Sequence, residues 1–253
     1  MGIEGTAGGM ELDALREAVW RANCRLPALG LVHLTWGNVS VRDPRGDYLI
    51  IKPSGVAYDA LTPDDMVVVA IADGRVVAGT LRPSSDTPGH RALYRRHPAL
   101  GAIVHTHSRW ATSWAQAGRP IPLLGTTHAD FSADAVPVSR ALSADEAAGD
   151  FEWHTGGTVA DTIDPEDPYR CPAALVRGHG VFSWGRTADE AVDHALILEL
   201  VAEMAYRTLM LNAEAELPGF VAARHYTRKH GQAAYYGQHN NAADPSTDAP
   251  KSP

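Results

Sequence analysis

Within the first 110 residues, short runs rich in β-branched side chains recur with several connections too brief to hold a crossover helix. LVHLTWGNVSV, DYLIIKPSG, MVVVAIA, RVVAGT and AIVHTHS each read as a strand, and Asp73-Gly74 between the third and fourth is a turn dipeptide suited to a hairpin. Parallel neighbours need a dozen or more connecting residues, so these strands are expected to pair mostly antiparallel. Helical patterns interleave with them: ELDALREAVWRAN from residue 11, PGHRALYRRHP, and SRWATSWAQAG ending at Gly118. The sheet resumes with AALVRGHGVFSW. Beyond it, Ala191, Ala195, Leu198, Ala202, Ala205 and Leu209 recur at steps of four and three, behind a capping-box spacing of Thr187 and Glu190. That stripe is core packing or a subunit seam. FVAARHYTRKHGQAAYYG reads as a last, shorter helix carrying His225 and Arg228. Strands early and helices flanking and following them predict an α/β sandwich around a mostly antiparallel sheet.

Residues 11–238 are expected to form one domain, since 45% hydrophobic and 21% charged side chains are ordinary globular usage. Residues 1–10 are glycine-rich, contain a second Met at 10, and are expected to be a flexible extension. Residues 239–253 are polar with three prolines, the composition of a disordered tail. Thirty acidic against 22 basic side chains give a net charge of −8. The basic residues are scattered, which argues against a nucleic-acid surface and requires any anionic substrate to be gripped locally. Cys24 and Cys171 are too few for a disulfide framework, and no run reaches the ~18 apolar residues of a membrane span. A reducing, cytoplasmic setting without membrane or nucleic-acid partners is expected.

IVHTHS, residues 103–108, carries the sharpest chemical signal. In an extended chain side chains alternate with period two, so His105 and His107 should leave one face as a pincer. A catalytic zinc takes three protein ligands and leaves a position open. Two more candidates are His179, at a strand end beside Gly180, and Asp86 in PSSDTPGH. Each has a structural alternative: Ser-Ser-Asp-Thr before a helix is ordinary capping chemistry, and a histidine in an apolar strand region can be a satisfied core residue. Gly37-Asn38, Ser54-Gly55 and Ser84-Ser85 are small-residue turns whose hydroxyls and N–H groups suit phosphate oxygens, with Lys52 as a charge partner, although each alone is also a common turn. Asp130 in TTHADF and Tyr235 or Tyr236 are candidate proton-transfer groups; Asp130 between apolar neighbours could be held from water with a raised pKa or could face solvent.

Taken in order, TWGNVS, IIKPSGV, PSSDTPGHRALY, IVHTHSRWATSWAQAG, GTTHADF, LVRGHGVFSWG and HYTRKHGQAAYYGQ resemble the class II aldolase/adducin family from about residue 11 to residue 238. The resemblance implies that family's α/β/α sandwich and, within it, the branch that interconverts L-ribulose 5-phosphate and D-xylulose 5-phosphate in arabinose catabolism. It implies a divalent metal, usually zinc with manganese or another ion as an alternative, held by Asp86, His105, His107 and His179. Gly37, Asn38, Ser54, Gly55, Ser84 and Ser85 would meet the phosphate and adjoining oxygens. Asp130 and Tyr236 would be the two acid/bases, with His225 and Arg228 lining the site. Family members are homotetramers with sites at subunit boundaries, which would bring Tyr236 from a neighbour. In related aldolases a glutamate base usually stands where this chain has Asp86, and HYTRKHG with AYYGQ also favours the epimerase branch. Arg177-Gly178 replaces the branch's His-Ser, a departure in the expected pocket wall. A related sugar-phosphate aldolase and a non-enzymatic, adducin-like module are the alternatives.

Overall fold

The computed structural model describes residues 6–230 and residue 234. The elements in chain order are α1 (Thr6–Ala28), β1 (Asn38–Arg42), β2 (Tyr48–Ile51), β3 (Val67–Ala70), β4 (Val76–Ala78), α2 (Thr87–Arg96), β5 (Ala102–Thr106) and α3 (Arg109–Ala117). They continue with α4 (Thr126–Ala129), α5 (Ala144–Ala148), α6 (Phe151–Ala160), β6 (Ala173–Leu175), β7 (Val181–Gly185), α7 (Ala188–Leu211) and α8 (Gly219–Lys229). The strands form one sheet in the order β4-β3-β2-β1-β5-β7-β6, and every neighbouring pair is antiparallel. The expected α/β sandwich is therefore the observed fold. No helix among the described residues is long and apolar enough to cross a membrane.

The sheet is covered on both faces, which explains why MVVVAIA is a continuous apolar run rather than an alternating one. Val39, Val41, Ile50, Val68, Ala102 and Val104 pack with α1 and α7, whereas Leu49, Ile51, Val67, Val69, Ile103, Phe182 and Trp184 pack with α2 and α6. A third cluster joins Ala111, Trp114 and Ala115 of α3 to Leu198, Ala202 and Ala205 of α7. The α7 stripe, expected as core packing or a subunit seam, is buried within the chain's own core, with only Leu209 half-buried. Because His105 shares the parity of Ile103, it leaves the sheet on the α2 and α6 side. Asn38 and Ser40 of β1 do the same, opposite in parity to Val39 and Val41.

Three sequence expectations shift. α1 begins at Thr6, so residues 6–10 are helical rather than a separate extension; once ELDALREAVW nucleates a helix, adding a residue at its end costs little. The run LVHLTWGNVSV gives a strand only from Asn38, because Gly30 (φ 70°) ends α1 and Leu31 N–H donates back to Leu26 O at 3.0 Å, committing the next residues to turns. Thr187 accepts from Glu190 N–H at 3.2 Å as a cap should, yet the Glu190 carboxylate turns to Arg186 N at 2.6 Å instead of completing the box. The expected disordered tail and Tyr236 lie outside the described residues.

Candidate metal centre and active site

His105 lies on β5, an interior strand, paired with Asn38 of β1 on one side and Phe182 of β7 on the other. His107 follows β5 by one residue, and His179 sits in the turn between β6 and β7. Their donor atoms lie within 4.8 Å of one another. The ring centroids are 5.0 Å apart for His105 and His107, 5.3 Å for His105 and His179, and 4.6 Å for His107 and His179. Gly180 makes this approach possible: a Cβ there would stand 2.7 Å from Thr106 O and 3.3 Å from both His105 and His107. His105 Nδ1 lies 2.9 Å from Val181 O, and a carbonyl only accepts, so Nδ1 carries the proton and Nε2 keeps its lone pair. Burial lowers the His105 pKa to about 4 and lowers His107 and His179 as well. Three neutral imidazoles with a carboxylate beside them are a donor set that suits a divalent ion of zinc's borderline character.

Asp86 stands at the N-terminus of α2, but its side chain makes no cap bond. The capping alternative fails because Asn38 Nδ2 donates to its Oδ2 at 2.6 Å, turning the carboxylate toward the sheet. Burial pulls the Asp86 pKa upward, yet the attraction of His105 and His90 and the Asn38 bond outweigh it and hold the group below the ordinary range. Asp86 thus faces the imidazoles electrostatically but is not within the tight three-histidine set.

A polar cleft of about 500 Å³ opens beside this cluster. Its walls include Gly37, Asn38, Ser54, Gly55, Ser84 and Ser85, together with Asp86 and His107. Six residues from three separated segments of the chain therefore line one cleft. Lys52 also lines it, 2% exposed, with Nζ 4.9 Å from the Tyr58 ring centroid; burial lowers its pKa against the pull of Asp86. Asn38 Oδ1 is buried without a partner.

Asp130, His225 and Arg228 come together elsewhere, where α4 meets α8. Asp130 accepts from Arg228 Nε at 2.9 Å and from Arg228 Nη2, lies 3.1 Å from His225 Nδ1, and has Lys229 Nζ at 3.6 Å. Burial raises its pKa less than Arg228, His225 and Lys229 lower it, so the group is held as a carboxylate and the raised-pKa alternative is corrected. Neither Asp130 nor any residue of α8 lines the cleft.

Sequence reasoning missed Glu152 and Phe151 of α6, which with Asp86, His105 and His179 line a small cavity behind the imidazoles. It also missed Lys229 beside Asp130. A helix in FEWHTGGTVA was open to detection through Asp150 as its cap, but not its docking against α2. Arg177 and Gly178 are exposed, with the Arg177 guanidinium packed over Gly118, so this departure faces solvent rather than the cleft.

Fold and site together define a class: the chain belongs to the class II aldolase and adducin family, whose N-terminal-domain model matches residues 17–206. It is 48% identical over 228 residues to L-ribulose-5-phosphate 4-epimerase UlaF of Salmonella paratyphi B, covering 90% of this chain and 100% of that one. The Salmonella paratyphi C counterpart matches equally. Among solved structures, an L-fuculose 1-phosphate aldolase superposes with a TM-score of 0.72 at 21% identity, covering 85% of this chain and 95% of that one. The L-fuculose-1-phosphate aldolase of Thermus thermophilus gives 0.60 at 26% identity, covering 81% and 98%.

Proposed function

We propose that the chain is a divalent-metal-dependent isomerase that interconverts L-ribulose 5-phosphate and D-xylulose 5-phosphate by breaking and re-forming the C3–C4 bond. The observation that carries this reading is the convergence of three uncharged imidazoles beside a polar cleft. Identity to the Salmonella epimerases over their whole length supports the choice of substrate.

C4 is not adjacent to the C2 carbonyl, so its proton is not acidic and inversion by simple deprotonation is disfavoured. Retro-aldol cleavage needs only that the C4 hydroxyl lose its proton while charge develops on the C2 and C3 oxygens. His105, His107 and His179, with Asp86 alongside, would hold a divalent ion, zinc or alternatively manganese, which would supply Lewis-acid stabilisation of that charge. Gly37, Ser54, Gly55, Ser84 and Ser85 hold the phosphate, with buried Lys52 as countercharge. Asn38 spends its Nδ2 on Asp86 and Ser84, which leaves Oδ1 to accept from a substrate hydroxyl. Asp130, kept ionised by Arg228, His225 and Lys229, takes the C4-hydroxyl proton on one face, and Tyr236 returns a proton on the other after the aldehyde has turned. The phosphate grip retains glycolaldehyde phosphate between the two half-reactions. Because Asp130 does not line its own chain's cleft, the reading places Asp130, His225, Arg228 and Tyr236 over the cleft of a neighbouring copy in a homotetramer.

Incubation with L-ribulose 5-phosphate and Zn²⁺ tests this directly, with D-xylulose 5-phosphate as the expected product. Release of dihydroxyacetone and glycolaldehyde phosphate without the epimer would move the assignment to an aldolase, and no turnover at all would favour the non-enzymatic alternative.

A further inference from the structure

Helix α3 starts two residues after His107, so whatever fixes its first turn also fixes that imidazole. The local cap is unused: Ser108 has N-cap backbone angles (φ −60°, ψ 142°), but its side chain makes no cap bond and its Oγ is buried without a partner. The orphan donors of the first turn go instead to a residue about ninety positions away. Trp110 N–H donates to Glu199 Oε1 at 2.8 Å and Ala111 N–H to Glu199 Oε2 at 3.0 Å, so a carboxylate on α7 closes the N-terminus of α3 with both oxygens. A negative charge there also meets the positive end of the helix dipole. Trp114 Nε1–H donates to Ala202 O at 3.0 Å one turn further along, a second tie between the same two helices.

We propose that Glu199 is a positioning residue for the metal centre, holding the β5–α3 junction so that His107 stays on the face shared with His105 and His179. This rests on the reading of those histidines as metal ligands. Glu199 touches none of them and acts through the two backbone N–H groups.

The test uses the full-length protein stripped of metal, with Zn²⁺ affinity read by chelator competition and ligand geometry by the visible absorption of bound Co²⁺. Glu199→Ala is expected to weaken Zn²⁺ binding by about 10-fold or more and to alter the Co²⁺ bands, the size of effect typical when a support of a metal ligand is removed. Glu199→Gln, which keeps one acceptor oxygen, should fall between it and the parent and serves if the alanine variant does not fold. Thr187→Ala weakens the far end of α7 without touching α3 and should lower stability while leaving affinity and spectrum at parental values. Parental Zn²⁺ affinity and Co²⁺ spectrum in both Glu199 variants would overturn the proposal, whatever their stability. If the parent protein itself bound neither ion, the metal-ligand reading would fall, and this inference with it.

Discussion

At the scale of single residues, the interior of this protein is organised around histidines kept neutral. Burial lowers His90 to about 3, His105 to about 4 and His128 to about 4, against 6.5 in the unfolded chain. A base whose pKa is depressed on folding binds more protons unfolded than folded between those values, so stability rises with pH across that window and is lost as pH falls below about 6.5. Each such histidine contributes about 2 kcal/mol of destabilisation between pH 7 and pH 5. Denaturant unfolding of the metal-free protein should therefore show a much lower midpoint at pH 5 than at pH 7. Equal midpoints would mean that these side chains are not neutral in the fold. The same residues show what sequence could convey. His105 and His107 were legible as a pair because strand alternation dictates their common face, and His179 because a glycine beside a strand end permits close approach. The orientation of Asp86 was not legible, since two acceptable environments, the α2 N-terminus and Asn38, compete for one carboxylate and only the sheet's position decides between them.

At the scale of elements, the tie that looks strongest is not the one expected to contribute most. Arg25 of α1 reaches Asp189 and Asp193 of α7 at 2.6 Å each, but the two carboxylates are 79% and 59% exposed, and solvent-screened pairs contribute about 1 kcal/mol or less. Thr187, by contrast, satisfies an otherwise orphaned N–H at the start of α7, and loss of such a cap costs about 1 kcal/mol. Thermal unfolding should show Thr187→Ala at least as destabilising as Arg25→Ala; a clearly larger loss in the arginine variant would assign the α1–α7 junction to its ion pairs. Strands β2 to β5 and helices α2, α3, α7 and α8 were readable because their periodicity and turn residues are local. The stretch from residue 119 to residue 172 was not, apart from TTHADF. Its helices α4 and α5 are about one turn long, and α6 owes its place to packing on α2. Glu199 escapes sequence reading for the same reason: a cap supplied from a distant helix leaves no local pattern.

At the scale of the whole molecule, one chain carries two separate clusters of polar side chains: the imidazoles with their cleft, and Asp130 with His225, Arg228 and Lys229. In the proposed assembly each cleft takes its metal ligands from one subunit and its acid/base groups from another. Unfolding and co-refolding a mixture of His105→Asn and Asp130→Asn chains, each inactive alone, should regenerate a fraction of the parental activity in hybrid assemblies. Persistent inactivity, with hybrids present, would place both clusters' work within one subunit. The central claim is simpler than the assembly, namely that His105, His107 and His179 hold one divalent ion on which turnover depends. Its most direct test is equilibrium dialysis of the stripped protein against Zn²⁺, with activity on L-ribulose 5-phosphate followed in parallel. The account predicts one ion per chain, activity rising in proportion to occupancy, and loss of both in His105→Asn; full turnover by protein that holds no metal would contradict it.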